Sequence, residues 1–292
     1  MGRIPGDQSE AIDLATLVRG ALAEDIAEGD ITSLATIPAS RMATARLIAK
    51  ASGVIYGLEI ARDVFLVVDP TIRFDANVRE GAKVAVGDEI MTLSGPARSL
   101  LSAERTALNF LQRLSGIATL SARYVEAVAG TDTKILDTRK TTPGWRTIEK
   151  AAVRAGGGHN HRIGLWDMVL IKENHIRAAG SITKAILACR QWLTDNDREN
   201  VKIEIETTNK QEIEEALRIG CDRIMLDNMT LSEMGEAVER IRREVPAPEI
   251  EASGNMTLDR VRAVAETGVD FISVGAITHS APVLDLSLLF SS

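Results

Sequence analysis

The feature of this sequence that most restricts its fold is a regular alternation of strand-like and helix-like segments from about residue 130 onwards. Short apolar runs, typical of buried strands, alternate with longer segments of helical periodicity. The predicted strands are 133–137, 168–171, 201–205, 223–226, 249–252 and 270–274, and the predicted helices are 145–155, 177–193, 209–218, 231–243 and 257–267. This alternation requires parallel strands joined by crossover helices. Because fewer strands are evident than a closed eight-stranded barrel needs, we expect an open or incomplete α/β barrel.

The residues before 130 have a different pattern, which is typical of a smaller mixed domain. Helical periodicity at 10–25 is followed by a predicted turn at 28–33 and by strand-like residues at 42–56. The glycine spacing at 80–95 suits a small β-rich module, and 99–128 is strongly helical. The β-rich pattern also suits a lipoyl- or biotin-carrier fold, although the exposed hairpin lysine of such a carrier is not evident.

Composition excludes several classes of function. The net charge of −7 argues against nucleic acid or an anionic membrane as a partner. No apolar run approaches the ~20 residues that span a bilayer, and the polar N-terminus predicts no signal peptide. Two cysteines in 292 residues suggest a reducing compartment. The sequence has neither a Walker loop nor a Gly-x-Gly-x-x-Gly motif, so the ATP and dinucleotide hypotheses lack their signatures.

The segment 156–175 is the richest in chemistry. It contains three of the four histidines of the chain, a glycine triplet, Arg162 and Lys172. Such cations favour a small substrate with several negative charges. Two alternatives remain open: a plain glycine-rich surface loop, and a zinc site at His159 and His161, which the neighbouring cations oppose.

Polar or glycine-rich groups stand at the C-terminal end of every predicted barrel strand, where α/β barrels build their active sites. Cations end the first two strands, acidic residues the middle two, and glycine-containing segments the last two. In chain order these groups are Thr138, Arg139, Lys140 and Thr141; Lys172; Glu206; Asp227 and Asn228; Ser253, Gly254 and Asn255; and Gly275 and Ala276, with Thr278 and His279 slightly later. We expect the glycine-containing segments to bind a phosphate. Glu206 and Asp227 could hold Mg²⁺ directly or through water.

Several motifs of the chain resemble those of the quinolinate phosphoribosyltransferase family, from about residue 10 to the end. They are 24–32, 104–116, 137–144, 156–162, 170–175, 226–228, 251–255 and 274–280. The resemblance implies an α/β sandwich domain at 1–115, onto which the tail 281–292 can fold back, and an open barrel of about seven strands at 116–280. It also implies a homodimer, or a larger assembly of dimers, in which one subunit's N-terminal domain covers the other's barrel mouth.

The family resemblance implies a reaction and a role for each site residue. Quinolinate and phosphoribosyl pyrophosphate would give nicotinate mononucleotide, pyrophosphate and CO₂ in the cytoplasm, with Mg²⁺ as cofactor, as a step of NAD biosynthesis. Arg105 from the partner subunit, Arg139, His161 and Arg162 would bind the two carboxylates, with Thr138 beside them. Lys140, Lys172, Glu206 and Asp227 would be catalytic and act on the ribose-pyrophosphate side, and 253–255 and 274–276 would bind the 5′-phosphate.

Two alternatives to this function remain, and one ambiguity concerns the site. A paralogous phosphoribosyltransferase could use another acceptor, such as nicotinate, but the number of cations favours a dicarboxylate. A catalytically silent phosphosugar-binding protein would not need both Glu206 and Asp227. Because alternate residues of a strand share a face, Glu204 is a candidate beside Glu206; we favour Glu206, which is nearer the end of the strand.

Overall fold

The computed structural model describes residues 13–291, and their contacts form two compact units. The first unit contains the described residues up to Ala122, the segment Thr142–Gly157 and the residues from Ala281 onwards. The second unit contains Arg123–Thr141 and Gly158–Ser280. Each unit is therefore assembled from separate stretches of chain, whereas the sequence analysis placed a boundary near residue 115 and had only the tail 281–292 fold back onto the first domain.

The described chain has the following elements. The helices are α1 (Leu14–Ile26), α2 (Ile31–Thr36), α3 (Leu58–Val68), α4 (Ala97–Ala127), α5 (Arg146–Ala155), α6 (Glu173–Ala179), α7 (Ile182–Asp195), α8 (Lys210–Ile219), α9 (Leu231–Ile241), α10 (Leu258–Ala265) and α11 (Ala276–His279). The strands are β1 (Met42–Ala49), β2 (Gly53–Val54), β3 (Arg73–Ala76), β4 (Lys83–Val84), β5 (Glu89–Pro96), β6 (Lys134–Leu136), β7 (Val169–Ile171), β8 (Ile203–Thr207), β9 (Arg223–Asp227), β10 (Glu249–Ser253), β11 (Phe271–Ser273) and β12 (Leu286–Ser291).

The first unit is built on an antiparallel sheet with the strand order β12-β1-β5-β3. Along β1, Ala45, Leu47 and Ala49 are buried while the residues between them are less so, as expected for a sheet with one face on a core. The C-terminal strand β12 pairs with β1, with Leu288 opposite Leu47. The tail of the chain is thus an edge strand of this sheet.

Two local predictions were wrong, and both errors concern helix boundaries. The predicted turn at 28–33 contains the start of α2, because the Asp30 carboxylate caps that helix by accepting the Ser33 N–H at 3.0 Å. The predicted helix 177–193 is two helices, α6 and α7. Gly180 ends α6 in the left-handed conformation (φ 95°), and the Ser181 hydroxyl then caps α7.

The second unit contains a six-stranded parallel sheet with the order β6-β11-β10-β9-β8-β7. Helices α6 to α10 alternate with its strands, so the predicted α/β class is confirmed. The sheet is open, because β6 and β7 are its two edges. Beside the edge strand β6, His159 makes an isolated parallel bridge to Leu136. Within residues 13–291, no helix is long and apolar enough to cross a membrane.

Candidate active site

The carboxyl ends of the parallel strands in the second unit surround a cavity of about 930 Å³. Parallel strands direct these ends to one edge of the sheet, which brings groups distant in sequence together. The lining includes the predicted site residues Thr138, Arg139, Lys140, His161, Arg162, Lys172, Glu206, Asp227, Ser253, Gly254, Asn255, Gly275 and Ala276. The polar strand ends therefore form one site.

Two predicted site residues do not line this cavity. Val274 is buried, and its N–H donates to the Leu136 carbonyl at 2.9 Å, so this N–H belongs to the sheet rather than to a phosphate cradle. Arg105 is exposed on α4 in the first unit. Its predicted role in the site of a partner subunit stays a prediction.

One part of the cavity is strongly cationic. Arg139 and Lys140 follow β6 and are exposed, and Arg162 is held in place by a hydrogen bond from its guanidinium to the Met168 carbonyl at 3.0 Å. Burial, and then the positive charge of Arg139, lower the pKa of Arg162. Two guanidinium groups that repel each other in this way favour an anion bound beside both, especially a planar carboxylate that each can contact in a bidentate manner.

The acidic residues end two neighbouring strands. The carboxylate of Glu206 at β8 accepts from Lys172 Nζ at 2.8 Å, and its side chain is 12% exposed. Asp227 ends β9, and its Oδ2 accepts from Asn228 Nδ2 at 2.7 Å. The cavity therefore contains both cationic groups and carboxylates.

The loop after β10 has a rigid backbone. Gly254 adopts φ +92°, and a Cβ there would lie 2.2 Å from Asn228 Oδ1, so no other residue fits. Asn255 Nδ2 donates to the same Asn228 oxygen at 3.3 Å. From α10, the Arg260 guanidinium donates to the carbonyls of Gly254 (3.2 Å) and Met229 (2.7 Å). Two loops of the cavity rim are thereby held together.

Glu206 lines the cavity, whereas Glu204 lies one layer deeper on the same face of β8. The side chain of Glu204 is fully buried, and its Oε2 is 3.1 Å from His161 Nε2. Glu251 on β10 is also fully buried and lies 3.4 Å from the same nitrogen. The structure thus separates the two glutamates that strand alternation alone could not distinguish.

Burial and charge act on these groups in opposite directions. Burial, and then the negative charge of Glu251, raise the pKa of Glu204. Burial lowers the pKa of His161, but its contacts with Glu204 and Glu251 outweigh this effect and raise the pKa to about 9. The Arg162 N–H favours the neutral ring, because it donates to His161 Nδ1 at 2.7 Å. The ring whose Nδ1 accepts this N–H carries its proton on Nε2, which lies 3.1 and 3.4 Å from oxygens of Glu204 and Glu251.

Some lining residues were not among the predicted site residues. They are Leu170, Met225, Asn228, Glu251, Met256, Thr257, Ser273 and His279. The signal for Glu251 was present, since a carboxylate inside the predicted strand 249–252 must be paired when buried. Asn228 and His279 follow the predicted strands 223–226 and 270–274, but no role in the site was predicted for them.

Comparisons with known proteins agree with this arrangement. Residues 30–115 match the N-terminal domain of quinolinate phosphoribosyl transferase, and residues 117–289 match its C-terminal domain. A probable nicotinate-nucleotide pyrophosphorylase [carboxylating] from Synechocystis sp. is 47% identical over 267 residues, which cover 91% of this chain and 89% of the relative. Quinolinate phosphoribosyltransferase [decarboxylating] 1b from Nicotiana tabacum is 42% identical over 94% of this chain and 82% of its own length.

A solved structure extends the similarity to the fold. The nicotinate-nucleotide pyrophosphorylase from Francisella tularensis superposes with a TM-score of 0.89 at 42% identity, covering 95% of this chain and 96% of that one. Both domain matches, the relatives and this structure agree with the motifs at the strand ends. The chain therefore belongs to the quinolinate phosphoribosyltransferase family.

Proposed function

We propose that this chain transfers the phosphoribosyl group of phosphoribosyl pyrophosphate to quinolinate, with loss of pyrophosphate and CO₂, to form nicotinate mononucleotide. The observation that carries the proposal is one cavity in which Arg139 and Arg162 stand together with the carboxylates of Glu206 and Asp227. An aromatic dicarboxylate and a phosphorylated sugar require both kinds of group. The names of the relatives support the same reaction.

The cationic residues suit quinolinate. Arg139 and Arg162 supply guanidinium groups for its two carboxylates, and Arg105 of a partner subunit would supply a third. Burial and then the positive charge of Arg139 lower the pKa of Arg162, and a bound dicarboxylate would relieve the repulsion between the two guanidinium groups. We propose that His161 helps to position these cationic residues, because both of its ring nitrogens contact protein groups.

A second set of residues in the cavity suits the phosphorylated ribose. Glu206 and Asp227 can accept hydrogen bonds from the ribose hydroxyls, and Lys140 and Lys172 can neutralise the pyrophosphate. The Ser253–Asn255 loop and the segment Gly275–Ala276 line the same cavity and are suited to the 5′-phosphate. At Gly275, an added Cβ would lie 3.0 Å from Lys140 Cδ, so a larger residue would crowd that lysine.

The reaction follows from these contacts. The C1–oxygen bond to pyrophosphate breaks as C1 gains oxocarbenium character, which the neighbouring carboxylates stabilise. The quinolinate ring nitrogen then forms the new bond to C1. Its positive charge stabilises the electron pair left on the ring carbon when the adjacent carboxylate departs as CO₂, and a proton replaces that carboxylate. The decarboxylation therefore needs no separate organic cofactor.

We further propose that the reaction depends on Mg²⁺. Glu206 and Asp227 fit this ion, because hard carboxylate oxygens from two protein residues, completed by water and phosphate, are its usual ligands. Bound Mg²⁺ would supply positive charge to the leaving pyrophosphate. The chain's own share of that neutralisation falls to Lys140 and Lys172, and Lys172 already contacts Glu206.

Chelation should abolish activity, and Mg²⁺ should restore it without zinc. Protein purified without added metal is expected to contain less than about 0.1 zinc per chain, because oxygen ligands and neighbouring cations disfavour zinc. Elemental analysis and activity after EDTA treatment, with and without added Mg²⁺, measure both points. Stoichiometric zinc that is lost on replacing His159 and His161 would contradict this expectation.

The direct test of the proposed function is incubation of the chain with quinolinate, phosphoribosyl pyrophosphate and Mg²⁺. Nicotinate mononucleotide and pyrophosphate should appear in equal amounts. Pyrophosphate release with another acceptor but not with quinolinate would support a paralogous transferase. Tight binding of phosphoribosyl pyrophosphate without any product would support a silent phosphosugar-binding protein.

We also propose a homodimer with shared active sites, acting in the cytoplasm. The exposed Arg105 supports the first point, since the family resemblance assigns it to the site of the partner subunit. Cys189 and Cys221 are both free thiols, a state that a reducing compartment preserves.

A further inference from the structure

A fully or nearly fully buried group of charged side chains lies at the floor of the cavity. This buried charge cluster consists of His161, Glu204, Arg223 and Glu251. Arg223 Nη1 is 3.0 Å from Glu251 Oε2, and the guanidinium also lies 4.1 Å from the centre of the Phe271 ring. The interior of such barrels is usually filled by branched apolar residues. Because burying charges is costly, this cluster calls for a reason other than packing.

The cluster connects to the cationic part of the cavity through His161. Glu204 Oε2 and Glu251 Oε2 lie 3.1 and 3.4 Å from His161 Nε2, below the ring. On the other side of the ring, Nδ1 accepts the Arg162 N–H at 2.7 Å, and the His161 N–H donates to Asp137 Oδ1 at 2.9 Å. Both ring nitrogens therefore have protein contacts, and the contact at Nδ1 is with the backbone of Arg162.

We propose that Glu204 and Glu251 are positioning residues for the quinolinate subsite. They hold the His161 ring, and the ring sets the backbone position from which Arg162 reaches the substrate carboxylate. Neither glutamate needs to touch the substrate, although Glu251 reaches the cavity wall. The proposal deepens the function proposed above and rests on it.

Glu251 has additional partners that stabilise it in this role. Its Oε1 accepts from the Ser273 hydroxyl at 2.5 Å, while Oε2 faces Arg223 and His161. In the described part of the chain, by contrast, neither Glu204 oxygen makes a hydrogen bond, and its Oε2 is 3.1 Å from His161 Nε2. A change at Glu204 therefore acts on the His161 ring with the fewest side effects.

The same atoms could hold a metal ion, and this alternative must be separated from positioning. Ligand atoms of His161, Glu204 and Glu251 lie within 4.8 Å of one another. Arg223 already neutralises one of the two carboxylates, however, and a metal ion would have to displace the proton that Nε2 carries when Nδ1 accepts the Arg162 N–H. We therefore favour positioning by these contacts, and the test includes a metal measurement.

The test uses Glu204→Ala, Glu204→Gln and the control Glu249→Ala in the full-length protein. Glu249 pairs with Arg223 (3.0 Å) and Lys202 (3.1 Å), and its contacts do not include His161. Glu204→Ala should raise the KM for quinolinate by about 10-fold or more, the effect of losing a charge-assisted hydrogen bond. Glu204→Gln keeps an acceptor oxygen and should raise it by only about 3-fold. The KM for phosphoribosyl pyrophosphate should stay within about 2-fold of wild type in all three variants.

This pattern distinguishes positioning from a loss of folded protein. Misfolding lowers the amount of active enzyme and hence the apparent kcat, but leaves both KM values unchanged. Three outcomes would each overturn the proposal. The quinolinate KM could stay unchanged in both Glu204 variants, or the KM values for quinolinate and phosphoribosyl pyrophosphate could rise equally. Glu249→Ala could also raise the quinolinate KM as much as Glu204→Ala does. A stoichiometric metal in the wild type that Glu204→Ala removes would overturn it too. If the wild type itself forms no nicotinate mononucleotide, the proposed function fails, which is a separate result.

Discussion

Quinolinate should be used with a kcat/KM at least about 100-fold higher than that of nicotinate. Nicotinate carries one carboxylate, so it offers the guanidinium groups of Arg139 and Arg162 one anionic partner where quinolinate offers two. In the complex the bound substrate shields these groups from water, and removing one partner of a desolvated charge pair costs about 3–5 kcal/mol, which corresponds to a factor of roughly 100 or more. Steady-state kinetics with each acid, at saturating phosphoribosyl pyrophosphate and Mg²⁺, measure this ratio.

A matched pair of variants connects this preference to the cavity. Arg139→Ala removes a guanidinium after β6 and should reduce the ratio by lowering the kcat/KM for quinolinate much more than that for nicotinate. Lys134→Ala removes an exposed charge at the opposite end of the same strand and should leave the ratio unchanged. Comparable kcat/KM values for the two acids in the wild type would contradict the assignment of a dicarboxylate substrate.

Mixing two inactive variants should restore activity if Arg105 acts across a dimer interface. Arg105→Ala and Lys172→Ala should each be nearly inactive, since each removes a positive charge from a polyanionic transition state. In a mixed dimer, one site would combine both defects and the other would have neither. Random reassembly makes about half of the dimers mixed, so about a quarter of wild-type activity should return.

The double variant, which carries Arg105→Ala and Lys172→Ala on one chain, is the matched control. When it is reassembled with an equal amount of wild type, the mixture is compared with the same total amount of wild type alone. The mixture should have about a quarter of that activity if the sites are shared, and about half if they are not. A mass tag on one chain verifies that mixed dimers form. Mixed dimers of the two single variants that stay inactive would exclude a role for Arg105 in the partner's site.

The strands of the second unit were predictable because their signal is local. These parallel strands are short stretches in which apolar residues run together or alternate with single charged residues, and each is followed by polar or glycine-rich residues. The predictions at 223–226 and 249–252 therefore fall within one residue of β9 and β10. Helix ends were less predictable, since α2 depends on one side-chain cap at Asp30, and the division between α6 and α7 depends on the left-handed Gly180.

The chemistry of the site was predictable for a topological reason. In a parallel sheet, every strand delivers its last residue to the same edge, so Lys172, Glu206 and Asp227 had to lie close together once the strands were recognised. Backbone hydrogen bonding was not predictable in this way. The N–H of Val274 belongs to the sheet because it pairs with Leu136, a residue far away in sequence.

The sequence by itself thus determined the fold class, the family and 13 of the 21 residues that line the cavity. Only the tertiary structure decided the depth of each residue in the barrel. Glu204 and Glu206 share one face of β8, and local pattern treats them alike. Their different surroundings arise from the position of β8 beside β7 and β9 and from the loop that brings His161 to within 3.1 Å of Glu204. Those relations depend on long-range register and loop packing, which no local stretch of sequence contains.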